Sequence, residues 1–180
     1  GWNTYGKPSA AFMKECIQPL PEVEACTAFS TADVALVSLT DGNNRLKVDA
    51  MSTDPDFWKI FKLQFLDGRS FTEAERGGDM QSVVISASVA RKLFGTTEAA
   101  GRQMLLNREV VRIIGVVKDI SVTAKDAYAQ VWSMYHPGEL DVTGWWSYSG
   151  TRTIAVLART PDDFPAIKQG VEKRVKDVNA

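Results

Sequence analysis

Glu109-Val110-Val111-Arg112-Ile113-Ile114-Gly115-Val116-Val117 is β-branched and largely apolar, the composition of a central strand. A tight Asn107-Arg108 connection joins it to a second predicted strand, Gln103–Leu106, which follows the Gly101 turn. Further toward the N-terminus, Val83–Ile85 reads as a short strand feeding a helix from about Ser86 to Phe94. Ser86 is its cap, Val89, Ala90 and Leu93 form its inner face, Arg91 and Lys92 lie near its end, and Gly95 stops it. Before that comes Asp54-Pro55-Asp56, a helix start: Asp54 caps, Pro55 suits the first turn and Asp56 complements the helix dipole. The short helix carries Phe57, Trp58, Ile60 and Phe61, and the apolar run continues through Leu63, Phe65 and Leu66 to Gly68, with Thr72–Gly78 polar.

The N-terminal third supplies three extended segments, Val23–Phe29, Val34–Leu39 and Leu46–Met51. Asp41-Gly42-Asn43-Asn44 joins the last two into a hairpin, because Gly and Asn accept positive φ. Arg45, Lys47 and Asp49 alternate with Leu46, Val48 and Ala50, so one face is expected to be wet. Ser9–Gln18 is predicted as a helix: Phe12 and Cys16 lie one turn apart, Met13, Ile17 and Leu20 continue the stripe, and Pro19 and Pro21 end it. On the C-terminal side, Val131–Tyr135 and Thr153–Ala158 read as strands, separated by the loop Pro137–Gly150. The last helix is capped by Thr160, with Pro161 first and Asp163 completing a capping-box pattern. Phe164, Ile167, Val171, Val175 and Val178 form its stripe, and Lys173, Arg174 and Lys176 sit toward the negative end of its dipole.

Composition narrows the function classes. At 180 residues with 44% hydrophobic and 24% charged side chains, the chain can bury a core without disulfides or structural metal. A net charge of −1 and a pI near 5.9 leave no basic footprint for nucleic acid. No run of about 18 apolar residues exists to span a bilayer, and no signal peptide is visible. Gly1 opens the chain without a methionine and the last stripe is still running at Ala180, so flanking sequence is expected.

The sequence carries none of the common catalytic or phosphate-binding motifs. Neither G-x-x-x-x-G-K-[ST] nor G-x-G-x-x-G occurs, and Gly77-Gly78 is read as a flexible turn. The single histidine, His136, has no second His or Cys with which to hold a metal and is read as structural. A Ser–His–Asp arrangement could draw only on His136 with Ser147 or Ser149, and G-x-S-x-G is not met. Cys16 and Cys26 are read as small buried hydrophobes, with one bridge between them as the alternative in an oxidising compartment. Asp54/Asp56 and Asp162/Asp163 are read as helix N-terminal charges, and Glu73/Glu75 as solvated turn residues. No catalytic, cofactor-binding or metal-binding residues are therefore assigned. Trp145 and Trp146, adjacent in sequence, cannot both face one interior in a strand, which makes them the candidate partner-contact residues.

The middle of the chain resembles a known family. Asp54-Pro55-Asp56-Phe57-Trp58-Lys59-Ile60-Phe61 and Phe65-Leu66-Asp67-Gly68-Arg69-Ser70-Phe71-Thr72 are similar to the periplasmic core domain of MacB-type ABC transporter permeases. Ser82-Val83-Val84-Ile85-Ser86, Ala90-Arg91-Lys92-Leu93-Phe94-Gly95, Gly101-Arg102 and Val111–Asp119 follow in the family's order. The resemblance implies an α+β domain on the periplasmic face of the inner membrane, between two transmembrane helices of a MacB/FtsX-like permease. It implies two lobes: a discontinuous porter-like mixed α/β lobe, expected at 1–51 and 109–180, and a smaller inserted α+β lobe at 52–108. It also implies no cofactor and no catalytic residue here, because ATP is hydrolysed by a separate cytoplasmic ABC ATPase domain coupled through the transmembrane helices. A second permease copy and a periplasmic or outer-membrane protein are the further partners it brings. A free-standing hydrolase and a solute-binding receptor domain are the alternatives to this coupling module.

Overall fold

A computed structural model describes residues 7–136, 149–150 and 152–179. The chain divides into two compact units, one made of 1–30 with 135–180 and the other of 31–134. The expected boundaries at 51/52 and 108/109 fall elsewhere, because the hairpin and the central strand hydrogen-bond into one sheet with the elements between them.

In the first unit, β1 (Lys7–Pro8) pairs with β10 (Ser149–Gly150), and β2 (Val23–Phe29) pairs antiparallel with β11 (Thr153–Ala158). The predicted N-terminal helix is α1 (Ala10–Phe12) running directly into a π-helical turn, Met13–Ile17, with the Ser9 hydroxyl accepting the Phe12 N–H at 3.1 Å. The C-terminal helix α4 (Phe164–Asn179) follows a 3-10 turn at Pro161–Asp163. Ala10, Met13 and Ile17 from one helix, Ile167 and Val171 from the other, and Val23, Cys26 and Ala28 of β2 share one core. Gly170 lies at this helix contact, where an added Cβ would come within 2.7 Å of Leu20 Cδ2. Of the predicted α4 stripe, Ile167 and Val171 are buried, whereas Phe164 begins the helix and is exposed. Cys16 and Cys26 are buried thiols.

The second unit is built around the predicted central strand. Its elements are β3 (Asp33–Ser38), β4 (Leu46–Thr53), α2 (Phe57–Ile60), β5 (Phe65–Gly68), β6 (Ser82–Ser86), α3 (Ala87–Phe94), β7 (Gln103–Leu106), β8 (Glu109–Val117) and β9 (Val131–Met134). The strands are ordered β5-β8-β6-β9-β4-β3-β7, and β7 pairs with β8 as well. The circuit β8-β6-β9-β4-β3-β7-β8 therefore closes into a six-stranded barrel, with β5 added along the C-terminal half of β8. Pairing is parallel between β4 and β9 and between β6 and β8, and antiparallel elsewhere.

Inside the barrel Val37, Val48, Val83, Ile85, Met104, Val111, Ile113, Val116 and Val131 meet the inner face of α3. The register of β8 against β6 shifts between Ile113 and Gly115, leaving Ile114 as a bulge. That extra residue lets Val111, Ile113 and Val116 all point inward, although simple alternation would turn Val116 outward. The opposite face of β6 and β9 is buried too, so β6 reads as an unbroken apolar core, Val83-Val84-Ile85, between two serines.

Candidate functional site

The second buried face is an aromatic layer. Trp58 stands at its centre with edge contacts to Phe57 (5.2 Å between ring centroids), Phe65 (5.4 Å), Phe71 (5.4 Å) and Trp132 (5.9 Å). Such geometry sets the positive ring edge against a negative face. Phe57 and Phe65 belong to the same run of sequence as Trp58, whereas Phe71 and Trp132 come from a later loop and from β9. The layer needs Gly115: a Cβ there would lie 2.3 Å from Arg69 O and 2.7 Å from Phe65 Cε1. Gly68 is constrained in the same place, with φ +62° and Ile114 O only 2.1 Å from where its Cβ would sit. Neither the Trp58 nor the Trp132 indole N–H has a hydrogen-bond acceptor among the described residues.

The carboxylate pairs are held in local structure. Asp54 is buried and accepts the Asp56 N–H, while Asp56 pairs with Lys59 at 2.7 Å, which raises the Lys59 pKa first through that hydrogen bond. Glu73 pairs with Arg76, and Glu75 with Arg69. Both were expected as solvated turn residues; Glu73 is one, whereas Glu75 closes a capping box on Thr72. Burial pushes the Glu75 carboxyl upward, but Arg69 and the Thr72 N–H and hydroxyl together outweigh it and hold the pKa at about 2. Asp163 accepts the Thr160 N–H at 2.9 Å at the start of α4.

Residues that could join in chemistry are dispersed. His136 is exposed, and no group of three or more His, Cys, Asp or Glu side chains among the described residues could hold a metal. Tyr128 donates to Asp49 Oδ2 at 3.1 Å; burial, then Asp49, raises its pKa, and the pair pins the β8–β9 connection to β4. Trp145, Trp146 and Ser147 lie outside the described residues, as does the side chain of Ser149. Among those described, Val34 (66% exposed) and Leu36 on β3 and Val110 on β8 present apolar side chains to solvent, a surface the sequence reading did not single out. Alternation along β3 was its signal, with Val37 inside and Leu36 outside. No helix of the described residues is long and apolar enough to cross a membrane.

The family model of the MacB-like periplasmic core domain matches residues 3–174. The chain belongs to that family. It is thus an extracytoplasmic domain, and the likeness extends well beyond the 54–119 stretch that carries the motifs. The macrolide export ATP-binding/permease protein MacB of Neisseria gonorrhoeae is 26% identical over 140 residues, 77% of this chain. That of Wolinella succinogenes is 26% identical over 137 residues, 75% of this chain. The chain spans 21% of the length of each of these relatives. Among solved structures, the periplasmic region of MacB from Actinobacillus actinomycetemcomitans aligns with a TM-score of 0.70 at 18% identity, covering 96% of this chain and 74% of that one. The extracellular domain of the noncanonic ABC-type transporter YknZ from Gram-positive bacteria gives 0.67 at 16% identity, covering 95% and 83%. These likenesses establish a shared mixed α/β fold for the MacB-like domain.

Proposed function

We propose that this MacB-like periplasmic core domain is the outer part of an ABC transporter permease and couples ATP hydrolysis by a cytoplasmic ATPase domain to movement outside the membrane. The observation that carries the reading is the family match over 3–174, together with relatives that are ATP-binding/permease proteins several times longer. The carboxylates support it: those that might have served acid–base chemistry are held in turns and caps. A closed barrel also suits a part that is displaced as a body. In this reading residues 31–134 form the inserted lobe and the flanking segments the porter-like lobe. Trp145 and Trp146 are the candidate contacts to a periplasmic or outer-membrane partner, and a second permease copy completes the transporter.

The test is hydrogen exchange of this domain within its full-length parent protein in nanodiscs, with and without ATP and vanadate. Nucleotide-dependent changes within residues 7–179 are expected. Identical exchange in both states, with ATPase activity intact, would remove the coupling role. Spin labels at Lys7 and Asn179 add a second readout, expected to report a short separation on one membrane-facing side; a long one would contradict that orientation.

A further inference from the structure

The junctions of the barrel are unequal. β3–β4, β4–β9, β9–β6, β6–β8 and β8–β7 are each paired over three to five residues. The β3–β7 junction consists of Val37 opposite Leu106 and Ser38 opposite Leu105. Beyond those two pairs the ladder is continued by Asn107, in the turn between β7 and β8. Its backbone N–H donates to Leu36 O at 2.8 Å, and its side-chain Oδ1 accepts the Leu36 N–H at 3.0 Å. The side-chain amide thus stands where a backbone carbonyl would continue a regular ladder. Asn107 and Arg108 have φ of +48° and +71°, a left-handed pair that Asn tolerates better than most residues. Asn107 therefore shapes the turn and also clasps β3.

We infer that the β3–β7 seam is where the barrel opens, and that Asn107 is the latch that sets how often it does. Parting this seam leaves β8 paired with β6 and β4 paired with β9, so most of the core persists while Val37 and Met104 are uncovered. Opening elsewhere must break longer ladders. Val34, Leu36 and Val110, already exposed, flank the same seam. The inference concerns the barrel alone and does not rest on the transporter reading.

Hydrogen exchange on the 180-residue chain tests it with Asn107→Gly, which keeps the left-handed turn and removes the amide, and Asn107→Asp, which keeps an acceptor. In the wild type, residues 34–38 and 104–107 are expected to exchange faster than 82–86 and 112–117. Asn107→Gly should accelerate the first two segments about fivefold, the effect of one net hydrogen bond, and leave the latter two unchanged. Asn107→Asp should stay near wild type. Uniform acceleration across all four segments, or no acceleration in Asn107→Gly, overturns the latch. Should Asn107→Gly not fold, the wild-type comparison still decides the seam: equal protection across the barrel strands overturns it.

Discussion

In residues 31–134, strands that would otherwise be sheet edges find each other. β7 hydrogen-bonds β8 on one side and β3 on the other, and the circuit closes around the inward valines, with the inner face of α3 packed against the same core. In the other unit β2 and β11 form a two-stranded sheet, and the helical stretch Ala10–Ile17 and α4 supply the apolar mass against it. A two-stranded ribbon is marginal by itself. Stability in this unit must therefore come from helix–sheet packing, whereas in the barrel it comes from the continuity of the ladder and from two buried faces. The lesson is that cutting a side chain from the helices and blocking a backbone approach in the barrel are equivalent tests of what holds each part together.

The largest effect is expected for Trp132→Ala, which removes a fully buried indole from the aromatic layer; about 3–5 kcal/mol should be lost in urea unfolding. Gly115→Ala comes next, about 2–3 kcal/mol, because the new Cβ strikes Arg69 O, a backbone atom. If Gly115→Ala were neutral, the close approach of β5 and the aromatic layer to β8 would not matter to the barrel. Val171→Ala should cost about 2 kcal/mol by thinning the contact between α4 and β2. A negligible cost there would mean that the ribbon does not depend on its helix. The smallest effect concerns acid. Glu75 has a folded pKa of about 2 against an ordinary 4.5, so its contribution is present above pH 4.5 and is lost as pH falls toward 2. Glu75→Gln should therefore be less stable than wild type at neutral pH and draw level with it near pH 2; parallel stability curves across that range would refute the assignment.

Much of this fold is written in short-range pattern. The hairpin between β3 and β4, the β7–β8 pair, α3 between Ser86 and Gly95, and the capped start of α4 all follow from periodicity and turn chemistry within about twenty residues. What escaped were features made by distant partners. A boundary at 51/52 would cut β4, which hydrogen-bonds β9 some eighty residues onward, a pairing that no local pattern announces. Phe65–Gly68 is short and ends in glycine, so nothing local marks it as β5; its strand character comes from lying along β8. Trp132 joins the aromatic layer through parity, since it faces outward on β9 beside Val84 of β6. For function, local sequence correctly assigned Asp163 to a helix start. It placed the cap of α2 at Asp54, whereas the helix begins after Asp56 and Asp54 holds the preceding turn. It also underestimated Glu75, because its Arg69 partner lies on the far side of a turn.

The bulge at Ile114 makes β8 behave like a message with two reading frames. Upstream of it odd-numbered positions are addressed to the barrel interior, and downstream Val116 is, with Gly115 turned to the aromatic layer. Deleting Ile114 would remove the bulge and leave Ile113, Gly115 and Val116 in plain alternation, so each would keep the face it has now. Keeping Ile114 but pairing it regularly would instead aim Gly115 inward and Val116 at the crowded backbone of Arg69. The bulge is thus what keeps the two frames of β8 in phase with the two layers they serve.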